Sequence, residues 1–462
     1  MRLFKQEGEV TSIANADQAA SQVLDMAMRA ANQGTFAVGG LIVNNKTGEV
    51  IYKMHNNVMM KLSNGHPFTW DPTAHGERQL VDWYYENRQA LNLPPPSELT
   101  VITSLDPCVM CTGALLTAGF NVGVMAIDDY AGINYDSHFE FQDLPPNLRE
   151  KAKASFGYYA AGRKGVDPDM YVRDYQGSQS VAFCQDMVTS ANLMSCGAVF
   201  TDSSNTIRTI SSTESGKAPK DLKNPALLPD DSPIKQKYRE IYPNAFKLSA
   251  ENSRIPGANI LEELKAVAAS GTEGDGNAVG FLDPFGNLVL CLPGHEKMSP
   301  IRTPFMEVTR EYAKIRWGLM NDESTRAEAE NYLSVPKYGT FVFLYAPEPN
   351  APVGIMTLGA YGSTMEGPVP QVFPTNLQYV VGPRSGSTLE LTQVICNLPP
   401  LYTELVQIAI APSPAIAQEA FMTESFMAAA HMASVAAQTP SRSHRHARHR
   451  LVYLNMFRNS LG

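Results

Sequence analysis

Two short segments decide the fold: DPTAHGE at residues 71–77 and LDPCVMC at residues 105–111, with a predicted strand between them. Pro107 suits the first turn of a helix, where its missing N–H has no intrahelical partner in any case. Cys108 and Cys111 are three residues apart, so both face the same side of that turn. His75 also stands at the start of a predicted helix. The sequence therefore predicts two helix N-termini that each present metal-binding side chains.

The surrounding sequence alternates between helical and strand patterns. A helix is predicted within the first 30 or so residues, and a β-hairpin turns at residues 45–48. A second helix is predicted over residues 76–88, with strands over 99–103 and 122–127 and a helix between them. This order predicts an α/β fold in layers.

One imidazole and two thiolates make a three-ligand zinc set that leaves the fourth tetrahedral position for water. Zinc lowers the pKa of such a water to about 7. Glu77, two residues after His75, is placed to move a proton rather than to bind the metal. The motifs therefore predict a catalytic Zn²⁺ site at His75, Cys108 and Cys111.

A C-x-x-C pair alone would suit a redox motif or a structural zinc site equally well. A structural site needs a fourth nearby ligand, and the other four cysteines lie far along the chain. A redox motif does not need the upstream His-x-Glu. The two motifs together match the pattern H-x-E…P-C-x-x-C of zinc deaminases.

Four segments resemble the cytidine-deaminase-like superfamily, and most of all its branch of tRNA adenosine, guanine and cytosine deaminases: AVGGLIV (37–43), HNN (55–57), DPTAHGE and DPCVMCTGALLTAG (106–119). The resemblance covers about residues 10–140. It implies a three-layer α-β-α fold with a central five-stranded sheet and zinc between two helix N-termini. It also implies that Glu77 is the general acid/base.

Five residues are candidates for substrate contacts. By resemblance, Asn56 corresponds to the asparagine of the family that hydrogen-bonds the base ring. Gly76 replaces the more usual alanine, and its backbone could still contact a ring carbonyl. Trp70 could wall the pocket or simply pack within its loop. Asp128 and Asp129 lie in a segment weakly similar to one in guanine deaminases, where they could bind a ring N–H or cap a turn.

The second half of the chain repeats the order of these segments, but other residues stand in place of the candidate zinc ligands. Residues 278–280 align with 37–39, residues 303–307 with 73–77, and residues 341–353 with the strand and motif that end at Cys111. Glu307 then falls on Glu77, whereas Phe305, Asn350 and Val353 fall on the three candidate ligands. The sequence predicts a second, degenerate copy of the fold without zinc.

These patterns divide the chain into four predicted regions. Residues 1–165 form the catalytic domain, and residues 166–235 are a Ser/Thr-rich insertion or linker. Residues 236–400 form the degenerate domain, and residues 401–462 are a helical segment with a basic tail. The two copies of the fold predict an intrachain pseudodimer or a homodimer.

Composition narrows the choice of partners. Of 462 residues 44% are hydrophobic and 18% charged, which is typical of a folded globular protein. The net charge of −9 disfavours a broad nucleic-acid-binding surface, although five arginines and no acids follow Ser425. Sparse cysteines and the lack of a signal peptide or a long apolar stretch predict a cytoplasmic protein without a membrane span.

The main functional prediction is a hydrolytic deaminase of a nucleobase, nucleoside or related amino-heterocycle with a guanine-like or cytosine-like ring. Hydroxide generated at zinc would add to the amidine carbon while Glu77 shuttles the proton, and ammonia would leave. One alternative is a tRNA or RNA adenosine deaminase that grips its substrate with the arginine tail. Another is a non-catalytic binding module with the deaminase fold.

Overall fold

A computed structural model describes residues 12–128, 131–134, 140–159, 181–184, 188–214, 216–250, 256–366, 377–380, 394 and 407–410. Packing contacts group the chain up to Ile410 into one compact unit. The second unit, residues 411–462, lies outside the described residues, and so does the basic tail.

The N-terminal half, residues 12–214, is built around a mixed five-stranded sheet. Its described helices are α1 (Ala16–Gln33), α2 (Gly76–Asn87), α3 (Val109–Ala118), α4 (Pro146–Ser155) and α5 (Ser190–Glu214). Its described strands are β1 (Gly39–Asn44), β2 (Val50–His55), β3 (Met59–Lys61), β4 (Pro67–Thr69), β5 (Leu99–Leu105), β6 (Asn121–Ala126) and β7 (Phe156–Tyr158). The sheet order is β2-β1-β5-β6-β7, and β3 and β4 form a separate hairpin. The predicted α/β fold with a central sheet is confirmed.

The C-terminal half, residues 216–410, contains a second five-stranded sheet. Its described helices are α6 (Pro233–Ile241), α7 (Ala258–Ser270), α8 (Pro304–Asn321), α9 (Arg326–Tyr332) and α10 (Pro352–Thr364). Its described strands are β8 (Ala278–Leu282), β9 (Leu288–Pro293), β10 (Thr340–Phe343), β11 (Leu377–Val380) and β12 (Gln407–Ile410). The strand order is β9-β8-β10-β11-β12.

The two sheets share their strand orientations. In each sheet the second strand pairs antiparallel with both neighbours, and the last three strands run parallel. The hairpins β1–β2 and β8–β9 each have one register irregularity. It lies between Ile42 and Val43 in β1 and between Phe281 and Leu282 in β8.

The central strand β5 is buried along its whole length. A strand covered on both faces must satisfy any polar side chain it carries, because water cannot reach it. Ser104 therefore accepts a hydrogen bond from the backbone N–H of Gly39 at 3.0 Å. Thr103, on the opposite face, approaches Glu77. The strand thus places one polar group directly beside the candidate catalytic carboxyl.

The structure contains regular elements that the sequence patterns did not indicate. The predicted linker contains the 25-residue helix α5, which packs on α1 through Leu193 and Cys196. Hydroxyl groups that suggest a loop donate here to carbonyls four residues earlier, as Ser195 does to Ala191. Residues 407–410 of the predicted helical segment form strand β12, which pairs in parallel with β11. The rest of that segment lies outside the described residues.

The two halves meet most extensively where α3 packs against α10. Glycines allow the two helices to approach closely, because a methyl group built on Gly113 would clash with the backbone of Met356. A methyl group on Gly359 would clash in the same way with the backbone of Met110. Each helix therefore supplies one glycine to the contact.

We expect Gly113→Ala to lower the free energy of unfolding by about 1–3 kcal/mol, because α3 and α10 would have to move apart. The matched control is Gly318→Ala in α8, where the added methyl meets nothing within 4 Å. That change should stabilise the protein by about 0.5–1 kcal/mol, since alanine favours an exposed helix. Urea unfolding checks both values, and equal effects of the two variants would contradict the close packing of α3 on α10.

Candidate metal centre

Two helix N-termini present the predicted metal-binding side chains. His75 is the N-cap residue of α2 and Cys108 is the N-cap residue of α3, and neither side chain makes a capping hydrogen bond to its helix. Cys111 follows in the first turn of α3 and is buried. The Nδ1 atom of His75 lies 3.6 Å from the Sγ atom of Cys108. One ligand atom from each of the three residues lies within 4.8 Å of the others.

This spacing fits zinc. Tetrahedral zinc with Zn–S distances of about 2.3 Å and Zn–N distances of about 2.0–2.1 Å holds its ligand atoms about 3.5–3.8 Å apart. Among the residues that the structure describes, this is the one group of three His, Cys, Asp or Glu side chains found close enough to hold a metal ion.

The thiol groups are electrostatically unequal. The hydrogen bond from Cys111, together with the nearby imidazole of His75, holds the pKa of Cys108 well below its usual value. Burial raises the pKa of Cys111 well above the usual value. The helix N-termini favour negative charge at both positions. Cys108 is thus the more readily ionised of the two thiols, and Cys111 would lose its proton on binding a metal.

The carboxyl group of Glu77 is buried against this cluster. Its Oε2 atom lies 3.4 Å from the Sγ atom of Cys111, and its Oε1 atom lies 3.0 Å from the hydroxyl of Thr103. Burial, more than any nearby charge, raises the pKa of Glu77. A carboxyl group in this setting can hold a proton close to the metal position and release it.

The loop that presents His75 is fixed by buried charges. Asp71 accepts hydrogen bonds from both the backbone N–H and the hydroxyl of Thr73, at 2.8 and 2.7 Å. Arg78 donates to the carbonyl of Thr73, and Arg310 of α8 lies 3.3 Å from Asp71. Although burial alone would raise it, Arg78 and Arg310 hold the pKa of Asp71 below its usual value.

The structure brings Asn56 and Gly76 to this place. A methyl group built on Gly76 would lie 3.5 Å from the backbone N of Asn56. The Oδ1 atom of Asn56 accepts hydrogen bonds from the Thr35 hydroxyl at 2.6 Å and the Val58 N–H at 2.9 Å. These two bonds fix the side-chain amide of Asn56, which is almost fully buried.

The remaining candidates for substrate contacts are Trp70, Asp128 and Asp129. The ring of Trp70 is covered by the Nζ atom of Lys314, 5.0 Å from the ring centroid, so its cation–π partner comes from α8. Asp128 accepts a hydrogen bond from the backbone N–H of Ala131 at 3.3 Å. This bond corresponds to the second of the two predicted roles of Asp128, in which it caps a turn. Asp129 lies outside the described residues.

Sequence reasoning missed Thr103, Arg310 and Ser363. Thr103 lies in a predicted strand whose register was not assigned to a face. The other two reach the site from the C-terminal half, where Ser363 of α10 lies 3.1 Å from the Nε2 atom of His75. No local pattern could have indicated such contacts, because they depend on how α8 and α10 pack.

Residues 14–127 match the model of a family described as the cytidine and deoxycytidylate deaminase zinc-binding region, which covers about a quarter of the chain. This match confirms the predicted resemblance, and with it the enzyme class, a zinc-dependent deaminase, and Zn²⁺ as its cofactor.

Two solved structures are similar to parts of the chain. A tRNA:A34 deaminase studied for A-to-I editing at the wobble position is 22% identical over 26% of this chain and 77% of its own, with a TM-score of 0.21. A guanine deaminase from Nitrosomonas europaea is 18% identical over 43% of this chain and 89% of its own, with a TM-score of 0.26.

None of the helices in the described part of the chain has the length and apolar character that a membrane crossing requires. The cytoplasmic location and the oligomeric state stay predictions.

We expect Cys111→Ser to leave well under half an equivalent of zinc per chain, because a serine hydroxyl is a much poorer zinc ligand than a thiolate. The matched control is Cys184→Ser, which lies outside the cluster and should retain about one equivalent, as the unchanged protein should. Elemental analysis after dialysis against a mild chelator measures both. Full zinc content in Cys111→Ser would contradict this ligand set.

Proposed function

We propose that this protein is a hydrolytic deaminase of a small amino-substituted heterocycle, with Zn²⁺ held by His75, Cys108 and Cys111. The observation that carries the proposal is the position of Glu77, whose buried carboxyl lies 3.4 Å from one of the three proposed ligands. A structural zinc site has no use for a proton-accepting group at that place. A hydrolytic site needs one.

When bound, zinc would supply an activated water at neutral pH. Glu77 would accept a proton of that water at Oε2, deliver it to a ring nitrogen of the substrate and then pass the second proton of the same water to the departing amine. Water and the amino-heterocycle would thereby become the oxo-heterocycle and ammonia. Thr103 holds Oε1, so that Oε2 is the oxygen on the side of the metal. The raised pKa of Glu77 assists the protonated stage of this cycle.

The proposed substrate is a guanine-like or cytosine-like ring. Within the described part of the chain, no hydrogen bond uses the Nδ2 amide group of Asn56, so this group would donate to a ring acceptor. Gly76 would add backbone contact beside it. Trp70 and Asp128 are the weaker candidates, since Lys314 covers the first and the second caps a turn.

We also propose that residues 236–400 are a degenerate copy of the catalytic domain in residues 1–165. The equal order and orientation of the two sheets support this proposal, and so does the shared hairpin irregularity. The contact of α3 with α10 would then be the interface of an intrachain pseudodimer.

The structural alignment of these copies differs from the sequence alignment by two residues. Matching the hairpin irregularities and the helix starts sets Gly39 against Ala278 and His75 against Thr303, which is the N-cap residue of α8. Glu77 then corresponds to Phe305, not to Glu307. Glu307 does not mark the start of α8, because Thr303 is the N-cap residue and Pro304 is the first residue of the helix.

Aromatic rings occupy the corresponding place in the C-terminal half. Phe305 stacks on Phe343 with ring centroids 5.5 Å apart, and Tyr361 packs edge-on against Phe305 at 4.8 Å. Glu307 instead forms two hydrogen bonds with Arg302, at 2.9 and 2.8 Å. In this alignment an aromatic cluster would take the place of the proton shuttle, which favours a structural role for the C-terminal half.

We expect Glu77→Gln to reduce ammonia release by about 10²–10⁴-fold while zinc stays bound, because glutamine cannot transfer the proton. The measurement is ammonia production across a panel of guanine, cytosine, adenine, their nucleosides and related pterin-like rings. Glu307→Gln is the control and should release ammonia at the unchanged rate per folded molecule. Unaltered turnover in Glu77→Gln would refute the proposed chemistry, and no turnover of any panel member by the unchanged protein would favour a binding module.

We expect Gly76→Ala to fold normally, since the added methyl group meets only ordinary contacts of 3.5–3.6 Å. The helix start should gain about 0.4–1 kcal/mol because alanine restricts the unfolded chain. The same methyl group would reduce the space beside Asn56, so KM for the larger rings should rise more than KM for the smaller ones. Thermal unfolding and KM values across the panel check this, and an equal change for all rings would argue that Gly76 lies away from the substrate.

A further inference from the structure

A hydroxyl group of the C-terminal half reaches the candidate metal centre. The Oγ atom of Ser363 lies 3.1 Å from the Nε2 atom of His75, and both side chains are half-buried. The opposite ring nitrogen, Nδ1, is the one that faces Cys108 at 3.6 Å. Each ring nitrogen of His75 therefore has a distinct neighbour.

We propose that Ser363 is a positioning residue that holds His75 in the tautomer required for zinc binding. A neutral imidazole has one N–H donor and one lone pair. If Nδ1 is to offer its lone pair beside Cys108, the proton must reside on Nε2. The Ser363 hydroxyl accepts that N–H, which fixes both the tautomer and the ring orientation, as an outer partner of a metal-binding histidine does.

Ser363 is well fixed for this role. It lies in the last turn of α10, whose axis is held against α3 by the contacts of Gly113 and Gly359. Just beyond the helix end, Glu366 accepts hydrogen bonds at both carboxylate oxygens from Arg316 of α8, each at 2.6 Å. The end of α10 therefore cannot shift without breaking buried ionic contacts.

A second contact restrains the same loop from the same half. Arg310 of α8 lies 3.3 Å from the Oδ2 atom of Asp71, and Asp71 in turn holds Thr73, two residues before the histidine. The C-terminal half thus contacts the histidine at the ring and at the loop that carries it. The proposed role of the C-terminal half is therefore to stabilise the metal site of the N-terminal half.

This inference rests on the proposed role of His75 as a zinc ligand, but it does not depend on substrate turnover. The test uses the full-length, zinc-loaded chain and its Ser363→Ala, Ser363→Thr and Thr357→Val variants. Thr357 is the matched control, because it lies on the same helix and its hydroxyl bonds to the carbonyl of Val353 in that helix. Competition with a chromophoric chelator gives the zinc dissociation constant without any substrate.

We expect Ser363→Ala to weaken zinc binding by about 10–100-fold, the usual effect of losing such an outer partner. Ser363→Thr keeps a hydroxyl and should bind zinc within about threefold of the unchanged protein, as should Thr357→Val. The ¹⁵N spectrum of the zinc-loaded protein should show a protonated Nε2 at His75. Thermal unfolding of the zinc-free variants establishes that Ser363→Ala is folded.

An unchanged zinc affinity in Ser363→Ala, or an equal loss in Thr357→Val, would overturn the proposal. A His75 ring protonated at Nδ1 in the zinc-loaded protein would overturn it as well, even if Ser363→Ala failed to fold. Absence of deaminase activity, with zinc affinity still dependent on Ser363, would refute the proposed function and leave this inference intact.

Discussion

The close packing of α3 against α10 is the constraint on which the rest of the structure depends. Both helices approach at glycine, since a side chain at Gly113 or Gly359 would collide with the opposing backbone. Helix α3 carries Cys111 and has Cys108 as its N-cap residue, whereas the last turn of α10 places Ser363 beside His75. One helix pair therefore sets the position of two proposed ligands and of the hydroxyl group that orients the third.

This arrangement depends on buried polar groups, each of which needs a hydrogen-bonding or ionic partner. Asp71, Glu77, Arg78 and Thr103 are all buried, and each has a specific partner within or beside the site. Removing one partner of such a pair leaves the other unsatisfied at a cost of about 1–3 kcal/mol, and more when the group is charged. The C-terminal half supplies Arg310 to this network, so its contribution is electrostatic as well as steric. The C-terminal half thereby bears on the chemistry of the N-terminal half, although no group of three metal-binding side chains is found among its own described residues.

The chemistry-bearing residues of the N-terminal half could be predicted because their spacing is local. His75 and Glu77, and likewise Cys108 and Cys111, lie within single helix starts, where the backbone geometry fixes relative positions. Ser363 could not be predicted, since it lies 288 residues from His75 and reaches it only through the packing of α10. Helix α5 could not be predicted either, because its many Ser and Thr residues are more typical of a loop.

The most direct test of this account is zinc K-edge X-ray absorption on the purified full-length protein. The account predicts two sulfur neighbours at about 2.3 Å and nitrogen or oxygen neighbours at about 2.0–2.1 Å, one of them an imidazole. A shell of four sulfur atoms would indicate a structural site assembled with other cysteines and would contradict the central claim. So would a first shell without sulfur, because Cys108 and Cys111 would then not hold the metal.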